Sequence, residues 1–363
     1  MTSPDGATWT PQSHGTQNDL SDVAYGQGEF LAVTPSGTAL LSTGGVLWPQ
    51  ETRTAFRTSL HGAAYGNGIF VAVGVGNLGA LSTANAILTT VDGTSWTPQS
   101  TGTITSAGLN RVAYGGGRFV AVGFGGTVLT STDGTSWASQ SSGTLVNLYG
   151  VSYGNATYVA VGDVILSSSD GATWTQRSAP QVNYKAVTYD GTGFVAVGEQ
   201  GTLVTSPDGT SWTERNTTTW DTLTSVAFGG GYYVAVGANG TLLTSRNGAA
   251  WRLRNIGIPM TPNSVIYGGG TFVVVGRGGL ILQSANVLTP WARFESITAA
   301  SDGTFHLPIE ASVNSVLFVE SSQDLSAWKP FMTVTNSTGT VEVSAPSIQT
   351  LSRRFFRVKQ VSQ

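Results

Sequence analysis

Seven copies of a unit of about forty residues, strand-length apolar runs in every copy and no apolar spacing of helical period predict an all-β fold. The architecture they imply is a seven-bladed β-propeller of four-stranded antiparallel blades. One copy reads LNRVAYGGGRFVAVGFGGTVLTSTDGTSW and ends at Trp137; another reads LTSVAFGGGYYVAVGANGTLLTSRNGAAW and ends at Trp251. The first strand recurs at Val23–Tyr25, Ala63–Tyr65, Val112–Tyr114, Val151–Tyr153, Val187–Tyr189, Val226–Phe228 and Val265–Tyr267.

Each copy has the same order of elements. An inner strand ends in a YGGG-type turn, where glycine supplies positive φ. The second strand, such as Phe119–Val122 or Phe272–Val275, is apolar without alternation, because both faces of a blade pack against neighbours. A GxxGT turn leads to the third strand, and a turn closing on tryptophan leads to the outer one. Seven inner strands face eight such tryptophan positions, since Trp9 precedes the first complete unit and SANVLTPW (Ser284–Trp291) ends the last. The segment Thr8–Ser13 is therefore expected to supply the outer strand of the final blade, closing the ring and covering its edge. From Ala292 the pattern changes to FESITAASDGTFHLPI, SVLFVESS, FMTVTN, TVEVSA and RRFFRVKQ. The expected domains are a propeller over 1–291 and a small β-sandwich-like domain over 292–363.

The unit ends carry a sharper signal: SPDGATW (Ser3–Trp9), TVDGTSW (Thr90–Trp96), STDGTSW (Ser131–Trp137), SSDGATW (Ser168–Trp174), SPDGTSW (Ser206–Trp212) and SRNGAAW (Ser245–Trp251). These motifs resemble the Asp-box, or BNR, repeat of sialidase-like propellers. The whole unit looks most like the bacterial BNR propellers that include photosystem II assembly-factor-like proteins. The resemblance implies fold more than function, because such propellers include glycosidases, assembly factors and binding proteins. In SQDLSAW and RRFFRV the last segment resembles small C-terminal domains of secreted or surface bacterial proteins. Physically each box is a hairpin turn in which Asp or Asn accepts backbone N–H bonds, Gly turns the chain and Trp packs between blades. Asp5, Asp92, Asp133, Asp170 and Asp208 are thus poor catalytic candidates.

Composition narrows the partners. With 10% charged residues, a net charge of −3 and three scattered lysines, the 363-residue chain has no basic stripe for nucleic acid. There is no cysteine, hence no disulfide or thiolate chemistry. His14, His61 and His306 show no ligand spacing, so no metal is expected, and the glycine clusters lead into strands, so no nucleotide cofactor is expected either. No apolar run approaches the ~20 residues of a membrane helix. The start MTSPDGATW has no signal-peptide character; it opens partway through a repeat, as if a leader were missing. The expected state is a monomer, secreted or in the cell envelope.

Within this sequence the box and YGGG turns are nearly uniform, whereas the loops of the opposite face differ from blade to blade. That face is the expected recognition surface. Blade 2 carries an insertion there (Gly74–Thr90), and blade 4 reads VGDVILS without GxxGT. Nine of ten tryptophans sit at box or box-like positions, Trp48 and Trp328 included; Trp220 is the exception and a candidate platform for a sugar ring. Entry points to the inner strands place Asp22, His61, Asn110, Arg111, Tyr149 and Lys185 near the channel mouth, and the companion loops add Asp163, Glu199, Gln200, Asn239 and Arg277. The ligand-binding candidates are Trp220, Asp221, Asn110, Asp163 and Arg277. The catalytic candidates are Asp22, His61, Arg111, Tyr149, Lys185 and Glu199, with His61 as acid/base oriented by Asp22 and Arg111 or Lys185 stabilising an anion. Asp22, Asp163 and Glu199 offer an alternative carboxylate pair. Sialidases use an arginine cluster; Arg111, Arg277 and Arg53 or Arg57 are the arginines expected on this face, and they do not match that pattern. The first expectation is a non-catalytic propeller binding a glycan or protein. The second is a metal-independent hydrolase or polysaccharide lyase, and assembly-factor behaviour follows only from resemblance.

Overall fold

The computed structural model describes residues 9–12, 16–49, 51–54, 56–77, 85–100, 108–254 and 260–284, and, beyond these, the strands between 292 and 361. Most of the first box, His14, the centre of the blade 2 insertion, the last box from residue 285 and the SQDLSAW motif lie outside them. The chain separates into two compact units, Met1–Asn286 and Val287–Gln363.

The first unit is a propeller of seven four-stranded antiparallel sheets. Its inner strands are Asp22–Gly26, Arg57–Gly66, Leu109–Gly115, Leu148–Gly154, Tyr184–Tyr189, Leu223–Gly229 and Pro262–Gly268, which number the blades 1 to 7. In blade 7 the outer position is held by Trp9–Pro11, paired as Trp9↔Ser284 and Pro11↔Leu282. The second strands explain the unbroken apolar runs. In blade 2, Phe70 and Ala72 pack with Ala24, Leu31 and Val33 of blade 1, while Val71 and Val73 pack with Val112, Phe119 and Trp137 of blade 3. Alternation is intact, but each face meets a neighbouring blade, so apolar residues fill both.

Glycine after the inner-strand tyrosine has a specific cause. A methyl group on Gly66 would lie 2.1 Å from Cγ of Tyr114 in the next blade; Gly26 under Tyr65, Gly115 under Tyr153 and Gly268 under Tyr25 repeat the contact. Blade 5 has Asp190 there, opposite Phe228 rather than tyrosine, and the Asp190 carboxylate instead accepts a hydrogen bond from the Tyr233 hydroxyl of blade 6.

The second unit contains small antiparallel sheets. Phe305–Ala311 lies between Ala292–Phe294 or Thr298–Ala299 on one side and Thr340–Ala345 on the other, and Ser315–Ser322 lies between Lys329–Asn336 and Phe355–Val361. Leu307, Ile309, Leu317, Val319 and Val343 form its buried core.

Candidate functional site

The box face is built from copies of one turn. Asp133 Oδ1 accepts from the N–H groups of Thr135 at 2.7 Å and Ser136 at 2.8 Å, Gly134 has φ +76°, and the Trp137 indole donates to Gly134 O at 2.9 Å. The turns at Asp170 and Asn247 repeat this pattern. Bonds from Ser136 and Thr135, then the Ser131 hydroxyl, hold the Asp133 carboxyl well below the usual range; equivalent bonds do so for Asp92 and Asp170. Asp208 falls to about 2, chiefly through the Thr210 hydroxyl and N–H. These carboxylates are occupied by their own turns.

On the opposite face, six inner strands slip register by one residue against the second strand: His61, Asn110, Tyr149, Lys185, Thr224 and Asn263 are the extra residues. Four of these side chains reach the next blade's backbone. His61 Nδ1 meets Leu109 O at 3.0 Å, Asn110 donates to Leu148 O at 2.8 Å, Thr224 to Pro262 O at 3.0 Å and Asn263 to Leu20 O at 2.8 Å. They act as clips between blades. A carbonyl only accepts, so the His61 proton sits on Nδ1, and Nε2 accepts from Ser59 Oγ at 3.1 Å. Burial, with the Arg111 charge, lowers the His61 pKa despite that carbonyl bond.

The residues next in sequence ring the channel. Arg111 crosses from blade 3 to an ion pair with Asp22 of blade 1, and Asp22 also accepts from Ala63 N at 2.9 Å and Ser264 Oγ at 2.5 Å. Gly62 lies beneath this link: a Cβ there would stand 2.9 Å from the Arg111 Cα. The remaining channel space is about 180 Å³, bordered by Gly150, Ala186 and Ser225 among others. The expected Asp22–His61 pairing is not formed, because Arg111, Ser264 and the Ala63 N–H hold the carboxylate while the Leu109 carbonyl holds the imidazole.

Tyr149 and Lys185 are the two bulged side chains turned to other partners. Lys185 Nζ lies 4.7 Å from the Tyr149 ring centre, 2.6 Å from Asn183 Oδ1 and 2.9 Å from Glu199. Asn183 also binds Asp163, and Asn147 donates to the Tyr149 hydroxyl at 3.3 Å. Tyr149, Lys185, Glu199 and Asp163 therefore assemble across blades 4 and 5, apart from the Asp22–Arg111 link. The missing GxxGT makes this possible: blade 4 turns tightly at Asp163, whose N–H donates to Asn147 O at 3.1 Å, where blades 3, 5, 6 and 7 carry 3-10 turns. Blade 2 forms a wall, its first two strands extended to Arg57 and Asn77.

Trp220 is 86% exposed, in contrast to 9% for Trp137 and 3% for Trp48. Asp221 beside it is occupied by Asn239 and Thr241, and Arg277 begins the 3-10 turn of blade 7. Leu145, which sequence reading missed, is 89% exposed and stands as far beyond its box tryptophan as Trp220 does beyond Trp212. Its signal was positional: an apolar residue at a loop tip otherwise rich in Ser, Gly and Thr.

A protein-family model described as "DUF6242 beta propeller domain" matches residues 64–185. No curated protein matches the chain. Among solved structures, YCF48 from Cyanidioschyzon merolae is 16% identical with a TM-score of 0.60, covering 77% of this chain and 98% of that one. A structure titled "YCF48 bound to D1 peptide" is 15% identical with a TM-score of 0.61, covering 76% and 94%. A catalytically inactive virginiamycin B lyase from Staphylococcus aureus, with quinupristin, is 11% identical with a TM-score of 0.67, covering 76% and 98%. These likenesses establish the β-propeller fold.

Proposed function

We propose that the chain is a non-catalytic ligand-binding propeller of the Asp-box type, recognising its partner through the face opposite the boxes. One observation carries the reading: Tyr149 and Lys185 on that face are released from the blade-to-blade clips and gather with Glu199 and Asp163, while Trp220 stands exposed in the loop from blade 5 to blade 6 on the same face. Uniform turns on the box face offer no comparable source of specificity. The partner is a protein or a glycan; a YCF48 structure with a bound D1 peptide supports the propeller surface as a platform for polypeptide. A secreted or envelope location and a monomeric state are part of the proposal, the first supported by the resemblance of SQDLSAW and RRFFRV to small C-terminal domains of secreted or surface bacterial proteins. Closure by the N-terminal strand is part of the proposal, supported by the Trp9–Pro11 pairing and the bond from Gln12 N to Ile281 O at 3.0 Å. Deleting residues 1–13 should bare the Ile281–Ser284 edge and lower solubility.

The test compares Trp220→Ala with His61→Ala and Asp22→Asn, screened on glycans, peptides and chromogenic hydrolase and lyase substrates, with folding checked in each. Binding lost with Trp220 alone, and no turnover by the unaltered protein, is the expected result. The second reading, a hydrolase or polysaccharide lyase, is favoured only by the Tyr149–Lys185–Glu199 grouping. Turnover that disappears in Lys185→Met while binding persists would establish it in place of the first.

A further inference from the structure

We propose that Trp220 and the cavity behind it form a saccharide subsite, in which a pyranose ring stacks on the indole and its hydroxyls meet the polar wall of blade 5. The inference rests on the variable face being the recognition surface, and it names the ligand class for one part of that face. Three observations carry it.

The first is the presentation of the ring. Trp220 is 86% exposed, yet its loop is tied down: Thr217 Oγ1 donates to Gly201 O at 2.7 Å, Asn216 Oδ1 accepts from Thr218 N at 3.0 Å, and Asp221 N donates to Thr219 Oγ1 at 3.1 Å. An aromatic ring fixed in water is prepared for a flat apolar partner.

The second is backbone strain. Blades 3 and 5 have matching cavities, each framed by a 3-10 turn, an outer strand and the loop to the next blade. In blade 3 two left-handed positions are glycines, Gly125 at φ +60° and Gly143 at φ +73°. In blade 5 the same positions hold Gln200 at φ +56° and Thr218 at φ +58°. Threonine is β-branched and strongly disfavoured there. Asn239 of blade 6 shares the Gln200 conformation, so the residue that singles out blade 5 is Thr218, whose side chain borders the Trp220 cavity and whose strain marks a position for a functional test.

The third is the chemistry of the wall. The cavity measures about 580 Å³ and is bordered by Gln200, Thr202, Glu214, Arg215 and Asn216, with Trp220 at its rim. Hydroxyl, amide, carboxylate and guanidinium groups lining one cavity with an exposed indole suit a polyhydroxylated ring, although the Arg215 Nε is already bonded to the Thr205 hydroxyl. The blade 3 cavity ends on Leu145, which has no flat face, and so serves as an internal control.

The experiment is calorimetric titration of the full chain with cellohexaose, mannohexaose, N-acetylchitohexaose and hexagalacturonate, beside selection from a random dodecapeptide library. At least one hexasaccharide should bind; Trp220→Ala should weaken it about tenfold or more, Trp220→Phe should largely restore it, and Leu145→Ala should leave it unchanged. No binding by any of the four sugars, or binding indifferent to Trp220→Ala, overturns the subsite. Peptides selected in a Trp220-dependent manner, with no sugar bound, also overturn it while leaving the variable face as the recognition surface. Ligands of either class that respond to no change on this face overturn both.

Discussion

The two rims of the propeller are cut from one repeat but held by different kinds of bond. On the box rim the bonds stay within the turn, as when Asp133 accepts from Thr135 and Ser136 two and three residues on. On the other rim the bonds run between blades, as from Asn110 to Leu148. A local constraint acts alike in each copy that carries it and keeps those copies alike. A constraint spanning a junction can be lifted at one junction without touching the rest, and between blades 4, 5 and 6 it has been.

The largest effect should come from the box rim: Trp137→Ala should destabilise by about 3–5 kcal/mol in denaturant unfolding, with binding lost only through folding. A stable variant that nevertheless lost binding would move the recognition surface to the wrong rim. Next, Arg111→Met should cost about 2–3 kcal/mol, because Asp22 stays buried without its cation. Adding Asp22→Asn should recover part of the loss. If it does not, the link over Gly62 is not an ion pair at work across the channel.

Acidification probes the box turns directly. The box carboxylates have folded pKa values below the ~3.9 of an unfolded aspartate, so the stability they add is complete above that value and is lost as pH falls toward about 2 for Asp208. Calorimetric Tm should fall across that window, and replacing Asp92, Asp133, Asp170 and Asp208 by asparagine should flatten the fall. Asn247 already shows that the amide fits the turn. The smallest effect belongs to the variable rim. Thr218→Gly should raise stability by up to about 1 kcal/mol through relief of a left-handed threonine, and Gly143→Thr should lower it by a similar amount.

Period, strand boundaries and box chemistry were open to reading because each depends on neighbours a few residues apart. The site was only partly so. Trp220 stands out because it breaks a pattern, but loop position groups Tyr149, Lys185 and Glu199 with Asp22, His61 and Arg111, whereas in the structure these three meet around Asn183 with Asp163, away from the Asp22–Arg111 link. His61 was assigned to Asp22 because both lie at strand starts, whereas its actual partner is a backbone carbonyl 48 residues on, which leaves no mark in a side-chain pattern. The Arg111–Asp22 link joins blades that are not neighbours, and only the glycine at position 62 hinted at room for it.

The tyrosine of one blade over the glycine of the blade before also governs how such repeats can diverge. A glycine in one copy is held in place by a residue encoded in the next, so neither copy can drift alone. Changes should enter in linked sets that straddle a blade boundary, as Asp190, Phe228 and Tyr233 do. In a collection of related propellers, the strongest covariation should therefore fall between adjacent repeats rather than within them, and grafting a single blade into a foreign ring should succeed only when its neighbour's inner-strand aromatic residue is carried along.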